Sequence, residues 1–206
     1  LLGASRRAYE GRKHAEKQSW NWSTNFLMGK QMSNKKLGIL GMGRIGRAVA
    51  QRARGFGMEI HYHNRNKLSA DLELGSTYHA DIKSLFSQSE FLSINCPATA
   101  ETTNLLNEET IKILPDKAVV ANAARGDIID DKAMIQAMKS GKIFALGLDV
   151  YNGEPKINEE YLKLENLFLL PHLGSSTKRT RIDMGDRAID NLEVFFLGKK
   201  PKDQVN

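Results

Sequence analysis

The chain has 206 residues, 41% of them hydrophobic and 26% charged, a balance that suits a soluble globular protein and excludes a disordered or fibrous one. Its formal charge of +6 is scattered with no nucleic-acid recognition motif beside it, so it reads as a solvated basic surface that helps attract anionic cofactors and substrates. One cysteine, Cys96, excludes an internal disulfide and suits a reducing, cytoplasmic setting, while no apolar stretch approaches a membrane span and no secretory pattern opens the chain.

Residues 1–18 are helical in period, with Leu1, Leu2, Ala4, Ala8 and Tyr9 as the apolar side, and they begin without a Met, like the middle of a longer protein. Residues 19–36 form a polar connection holding Trp20, Trp22 and Phe26. Beyond it, short apolar runs alternate with helical patterns. Strands are expected at 37–40, 58–62, 91–96, 117–123, 143–150 and 167–170, and helices at 44–55, 81–88, 108–114, 131–140 and 175–197. Most of the runs are continuous and rich in Ile, Val, Leu and Ala, as in strands covered on both faces. Their alternation with helices predicts an α/β fold, a doubly wound parallel sheet flanked by helices with an N-terminal helical arm. There are no internal repeats. Ligands of such sheets bind at the carboxyl ends of the strands, so the residues there are the candidates.

The first strand leads into LGILGMGRIGRAVA, where Gly41, Gly43 and Gly46 have the G-x-G-x-x-G spacing. Gly41 makes the tight turn, Gly43 has no Cβ to block a pyrophosphate, and Gly46 lets the helix pack on the strand while its N-terminus offers free N–H groups. The second strand ends in His63-Asn64-Arg65, and no acidic residue occurs between Glu59 and Asp71. A site preferring NAD usually has Asp or Glu there, on the ribose 2′-hydroxyl; Arg65, with Asn64 and Lys67, would instead pair with a 2′-phosphate, unless it is only a surface arginine. The third strand leaves through Cys96-Pro97, where proline stops the ladder. Cys96 reads as a small buried residue rather than a nucleophile, and Thr102 as a helix cap rather than a ligand.

The fourth strand gives way to Ala123-Ala124-Arg125-Gly126-Asp127. An arginine beside small residues at a strand end suits a bidentate carboxylate contact, the alternative being a surface salt bridge to Asp127 or Asp130. The fifth ends in Asp149, with Glu154 ahead of Pro155, and the sixth places His172 between Pro171 and a Gly174-Ser175 opening of the last long helix. A histidine and a carboxylate just past adjacent strands form a candidate acid–base pair, in which Glu154 would favour the imidazolium.

GMGRIG, NAARGDIID, GLDVYNGEP and LLPHLGSST, in this order and spacing, resemble the D-isomer-specific 2-hydroxyacid dehydrogenases, and most closely their glyoxylate/hydroxypyruvate reductase branch. The resemblance covers essentially the whole chain and implies a Rossmann NAD(P)-binding domain at 37–180. It makes 1–36 a connecting helix and dimerisation arm, and 181–206 a helix and tail returning to a substrate lobe expected to precede residue 1. It implies reduction of a small 2-oxo acid, glyoxylate or hydroxypyruvate, to the D-2-hydroxy acid, with NADP(H) preferred and NAD(H) also used. His172 is then the acid/base, Glu154 its partner and Arg125 the substrate clamp. Arg44 and Ile45 offer backbone groups to the pyrophosphate, Asp149 meets the nicotinamide side, and Cys96, Pro97, Thr102, Ala123, Ala124, His172 and Gly174 line the cleft. His63 takes the place of the acid in NAD-preferring members. The expected partners are the small acid and a second copy of the chain, with no nucleic acid and no membrane.

Other readings stay open at this point: a phosphoglycerate dehydrogenase-like enzyme, which the missing acid after the second strand disfavours, and a nucleotide-sensing corepressor on the same scaffold. Formate dehydrogenase resembles the fold too but has glutamine at the position of Glu154. A structural fragment, inert without a substrate lobe, is the remaining possibility.

Overall fold

The computed structural model describes residues 1–204; the last two residues of the expected tail, 205 and 206, lie outside the described residues. Leu1–Pro171 form one compact unit, and a second begins at His172.

The first unit is built on seven parallel strands: β1 (Lys36–Leu40), β2 (Glu59–His63), β3 (Thr77–Tyr78), β4 (Phe91–Ile94), β5 (Ala118–Asn122), β6 (Ile143–Leu148) and β7 (Leu167–Leu169). Their order in the sheet is β3-β2-β1-β4-β5-β6-β7. The order reverses between β1 and β4, where the chain leaves in opposite directions and opens a crevice at the strands' carboxyl ends.

Alternate strand residues feed two apolar layers, as the two-residue side-chain period requires. Leu37, Ile39, Ile60, Phe91, Val119 and Ala145 pack on one face, under α3 (Arg44–Arg54) and the short α1 (Leu2–Ser5). Leu40, Leu92, Ile94, Val120, Leu146 and Leu148 pack on the other, under α5 (Ile82–Ser87), α6 (Glu108–Ile113) and α7 (Asp131–Lys139). Helix starts follow from side-chain caps. Asp81, Asn107 and Asp130 each accept from an N–H of the first turn of α5, α6 and α7.

Two expectations at the N-terminus are corrected. The single opening helix is two, α1 and α2 (Ala8–Glu16), because Arg7 takes a left-handed φ of 52°. Its apolar side is not the one expected. Leu2, Ala8 and Tyr9 are exposed, while Ala4, Ser5 and Glu10 are buried, Glu10 receiving the Arg7 guanidinium at 2.9 Å. Ala4 joins the core of its own sheet, and a Cβ on Gly3 would lie 2.8 Å from the Phe168 ring. Four further elements were not anticipated: α4 (Ala70–Glu73), the two-residue β3, a 3₁₀ turn at Gly126–Ile128 and α8 (Glu159–Leu162). Four residues or fewer show no period to read.

In the second unit, the long helix α9 (Lys178–Phe196) starts three residues later than expected. Thr177, whose side chain accepts from Thr180 N–H at 3.2 Å, is its cap, so Gly174 and Ser175 lie in the preceding turn.

The packing of α3 on β1 leaves no room for a side chain at Gly46, where a Cβ would come within 2.2 Å of the Gly41 carbonyl oxygen. Gly46→Ala is therefore expected to cost about 1–3 kcal/mol or more. Gly11→Ala, mid-helix with nothing within 4 Å of the new methyl, should add about 0.4–1 kcal/mol. Urea unfolding measures both, and a Gly46→Ala midpoint equal to wild type would contradict the tight turn.

Candidate functional site

Each functional candidate of the first unit sits where a strand ends, and each loop there is pinned by a polar contact. After β1, Gly41 has φ +93°, and a Cβ on it would lie 2.6 Å from the Cys96 backbone nitrogen. The turn thus lies directly against the exit of β4. Gly43 has nothing within 4 Å of its would-be Cβ, so the backbone faces open space at the N-terminus of α3. Arg44 and Ile45 begin that helix, both exposed. A glycine-floored turn with free N–H groups at a helix start fits the pyrophosphate of a dinucleotide.

Asn64 is part of the same turn. Its Oδ1 accepts the Met42 N–H at 2.6 Å, joining the loop after β2 to the loop after β1. Behind it the buried Tyr62 hydroxyl accepts Leu68 N–H at 3.0 Å and donates to Glu73, which folds the Asn64–Leu68 loop back on its own strand. Arg65 is exposed, and its charge contributes to holding the Glu101 carboxyl low, after the hydrogen bond from Thr99. Lys67 stands 3.8 Å from Glu73. His63 donates through Nδ1 to the His79 carbonyl at 2.8 Å.

After β4, Thr102 does not cap a helix. Its Oγ1 donates to the Pro97 carbonyl and accepts Thr99 N–H, each at 2.8 Å, closing the loop that follows Pro97. Cys96 is partly buried, and burial pushes its thiol up to about 11.

The loops after β5 and β6 form one piece. The buried Asn122 accepts from Ala124 N–H at 3.0 Å and donates to the Arg125 carbonyl at 2.8 Å, setting the Ala123-Ala124 turn. Gly126 then passes so close to Tyr151 that a Cβ would lie 2.0 Å from its carbonyl carbon. Tyr151 in turn gives its N–H to Glu154 Oε1 at 2.8 Å and its hydroxyl to the Leu170 carbonyl at 2.7 Å. Arg125 is exposed, with Nη1 on the Ala124 carbonyl at 2.6 Å; it pairs with neither Asp127 nor Asp130, the latter being the cap of α7. Asp149 is buried, its N–H on the Asn122 carbonyl at 3.0 Å. His172, with φ +55°, opens the second unit, and Gly174 follows in the turn before α9.

Unit 1 therefore joins Gly41, Gly43, Gly46, Asn64 and Cys96 around one turn, and Arg125, Asp149 and Glu154 around another. Asn122, Tyr62 and Tyr151 were not singled out from the sequence. Only Asn122, a polar residue closing an apolar strand before small residues, carries a readable signal.

The profile of the D-isomer-specific 2-hydroxyacid dehydrogenase NAD-binding domain matches residues 1–174. The chain is 44% identical to the glycerate dehydrogenase of Hyphomicrobium methylovorum, over 96% of this chain and 62% of that protein. It is 39% identical to the glyoxylate reductase of Thermococcus litoralis, over 100% of this chain and 64% of that one. Among solved structures it is similar to the NADPH-dependent glyoxylate/hydroxypyruvate reductase of Sinorhizobium meliloti in complex with NADP and malonate. That match has a TM-score of 0.87 and 32% identity, over 95% of this chain and 61% of that one. The chain thus spans less than two thirds of the length of these relatives. Among the described residues no helix is long and apolar enough to cross a membrane, and no group of His, Cys, Asp and Glu could hold a metal ion.

Because the thiolate is the reactive form, the raised Cys96 thiol should be alkylated by iodoacetamide at pH 7.5 roughly a hundred times more slowly than a free cysteine. Mass spectrometry of timed samples checks this, and labelling at the free-thiol rate would mean that the residue is open and reactive.

Proposed function

We propose that this chain, which belongs to the D-isomer-specific 2-hydroxyacid dehydrogenase family, is the nucleotide-binding part of an enzyme that reduces a small 2-oxo acid to the D-2-hydroxy acid. Glyoxylate and hydroxypyruvate are the substrates we put first, with NADPH preferred over NADH. The observation that carries this reading is the turn in which Asn64 holds Met42 over an open Gly43, with Arg65 next in the chain and no carboxylate at the end of β2 to favour NADH.

When bound, the nicotinamide cofactor supplies the hydride. The protein's residues do the rest. Arg125, stepped out of β5 by the Asn122 turn, binds the substrate carboxylate and polarises the carbonyl, so one side chain orients and stabilises charge. His172 donates the proton to the carbonyl oxygen, and Glu154 favours its imidazolium form. Asp149 meets the nicotinamide side. Cys96, Pro97, Thr102, Ala123, Ala124 and Gly174 line the cleft, while the N–H groups of Arg44 and Ile45 take the pyrophosphate.

A second copy of the chain is the protein partner we assign to the arm. Trp22 is 95% exposed and Trp20 51%, and large aromatics of this kind are interface anchors. A cytoplasmic setting agrees with the sequence holding one cysteine.

Oxidation of NADPH by the full-length protein with glyoxylate and hydroxypyruvate tests the reading. Turnover is expected with at least one of them. Tight dinucleotide binding without turnover on any 2-oxo acid would replace the enzyme with a nucleotide sensor. In the same protein His172→Ala should lower kcat by about 10²–10⁴-fold and leave cofactor affinity within about twofold; unchanged turnover would remove its assignment. Arg65→Ala should weaken NADPH binding about tenfold or more and NADH binding far less. Equal losses for the two cofactors would take the phosphate role from Arg65.

A further inference from the structure

Three imidazoles meet at β2 and the residue after β3, and their hydrogen bonds assign their protons. His61, buried, has Nε2 2.8 Å from Glu59 Oε1 and Nδ1 2.9 Å from His79 Nε2. His79 Nδ1 lies 2.7 Å from Ser84 Oγ. A carboxylate only accepts, so His61 donates through Nε2 and, when neutral, accepts through Nδ1. His79 then donates through Nε2 and accepts the Ser84 hydroxyl at Nδ1. All four nitrogens are used with both rings neutral, and the pair takes up a further proton only if the Ser84 hydroxyl turns from donor to acceptor. Burial, and then the like charges of His61 and His63, also hold the His79 imidazole below its ordinary range.

His63 differs. Its Nδ1 faces a carbonyl oxygen, so that nitrogen carries hydrogen in either charge state, and its Nε2 has no partner among the described residues. It can therefore take up a proton with no change in the hydrogen bonds around it, whereas His61 and His79 need the Ser84 hydroxyl to reverse its role. It is also the last residue of β2, opposite Leu40 and directly before Asn64, the residue that grips the glycine turn. In dinucleotide folds this strand end serves the ribose 2′ position. A neutral Nε2 accepts, as a carboxylate there does; a protonated one donates and brings positive charge.

We propose that His63 sets the choice between NADPH and NADH by its charge, the imidazolium favouring a 2′-phosphate and the neutral ring a 2′-hydroxyl. This rests on the cofactor reading above. The other charged and titratable groups on the surrounding elements are Lys36 on β1, Arg44, Arg47, Arg52 and Arg54 on α3, Glu59, His61 and Tyr62 on β2, Asp71 on α4, Tyr78 and His79 at β3, and Asp81 and Lys83 at α5. Arg65 and Lys67 follow β2, Glu73 lies on α4, and Cys96 and Glu101 lie past β4. Carboxylates, arginine and lysine keep their charge between pH 6.5 and 8.5, and burial keeps the Cys96 thiol and the Tyr62 hydroxyl neutral there. A phosphate monoester has lost most of its second proton by the lower limit of that range.

The test is direct binding of each dinucleotide to the full-length protein, by calorimetry, from pH 6.5 to 8.5. The ratio of the NADH to the NADPH dissociation constant is expected to fall about tenfold across the range, the worth of one charge-assisted hydrogen bond. In His63→Gln the ratio should be flat, and in His63→Lys flat and high. A flat ratio in the wild-type protein, or the same slope in His63→Gln, overturns the proposal while leaving the cofactor reading intact. Failure to bind either dinucleotide at any pH overturns both.

Discussion

The carbonyl oxygen of Gly41 occupies the space that any side chain at residue 46 would need. This one exclusion sets the distance between β1 and α3, and with it the position of a helix N-terminus over the crevice between β1 and β4. Gly41 is constrained on its other side as well, against the backbone of Asn95 and Cys96. The turn is therefore wedged between its own helix and the neighbouring strand's exit. Everything that follows β2, β4 and β5 is arranged around an edge whose geometry that turn defines.

Around it the molecule repeats one device. A buried polar residue on a strand, or just past its end, closes the next loop: Tyr62 on β2 for residues 64–68, Asn122 on β5 for 123–125, and Tyr151, past β6, for 151–154 and the Leu170 exit. Each such bond contributes only about 1 kcal/mol net, but breaking one strands a buried partner, which costs about 1–3 kcal/mol. These bonds act beside the apolar packing of Leu68, Ala124 and Tyr151 against the core. That leaves their outer faces, including Arg65 and Arg125, turned to solvent.

Much of this was visible in the sequence. The glycine spacing marked the turn, and the continuous apolar runs located six strands to within two residues, because a strand buried on both faces needs an uninterrupted apolar stretch. Arg125 and Glu154 stood out as polar residues just past such runs. What could not be read depends on partners far along the chain. The Asn64–Met42 bond spans 22 residues and the His61–His79 pair 18, and both exist only once β2 lies between β1 and β3. The break at Arg7 was hidden for a different reason. A periodicity argument counts apolar positions, whereas here a buried glutamate paired with a half-buried arginine takes the inward face.

The contact between Gly126 and Tyr151 has a mechanical consequence. The two backbones touch with no side chain between them, so neither loop can shift without carrying the other. Arg125 on one side and Glu154 on the other therefore ride on a single stiff plate, anchored through the Tyr151 hydroxyl to the end of β7. Insertions in either loop would have to be matched in both, which makes these two loops the part of the sheet's carboxyl edge least free to drift in length.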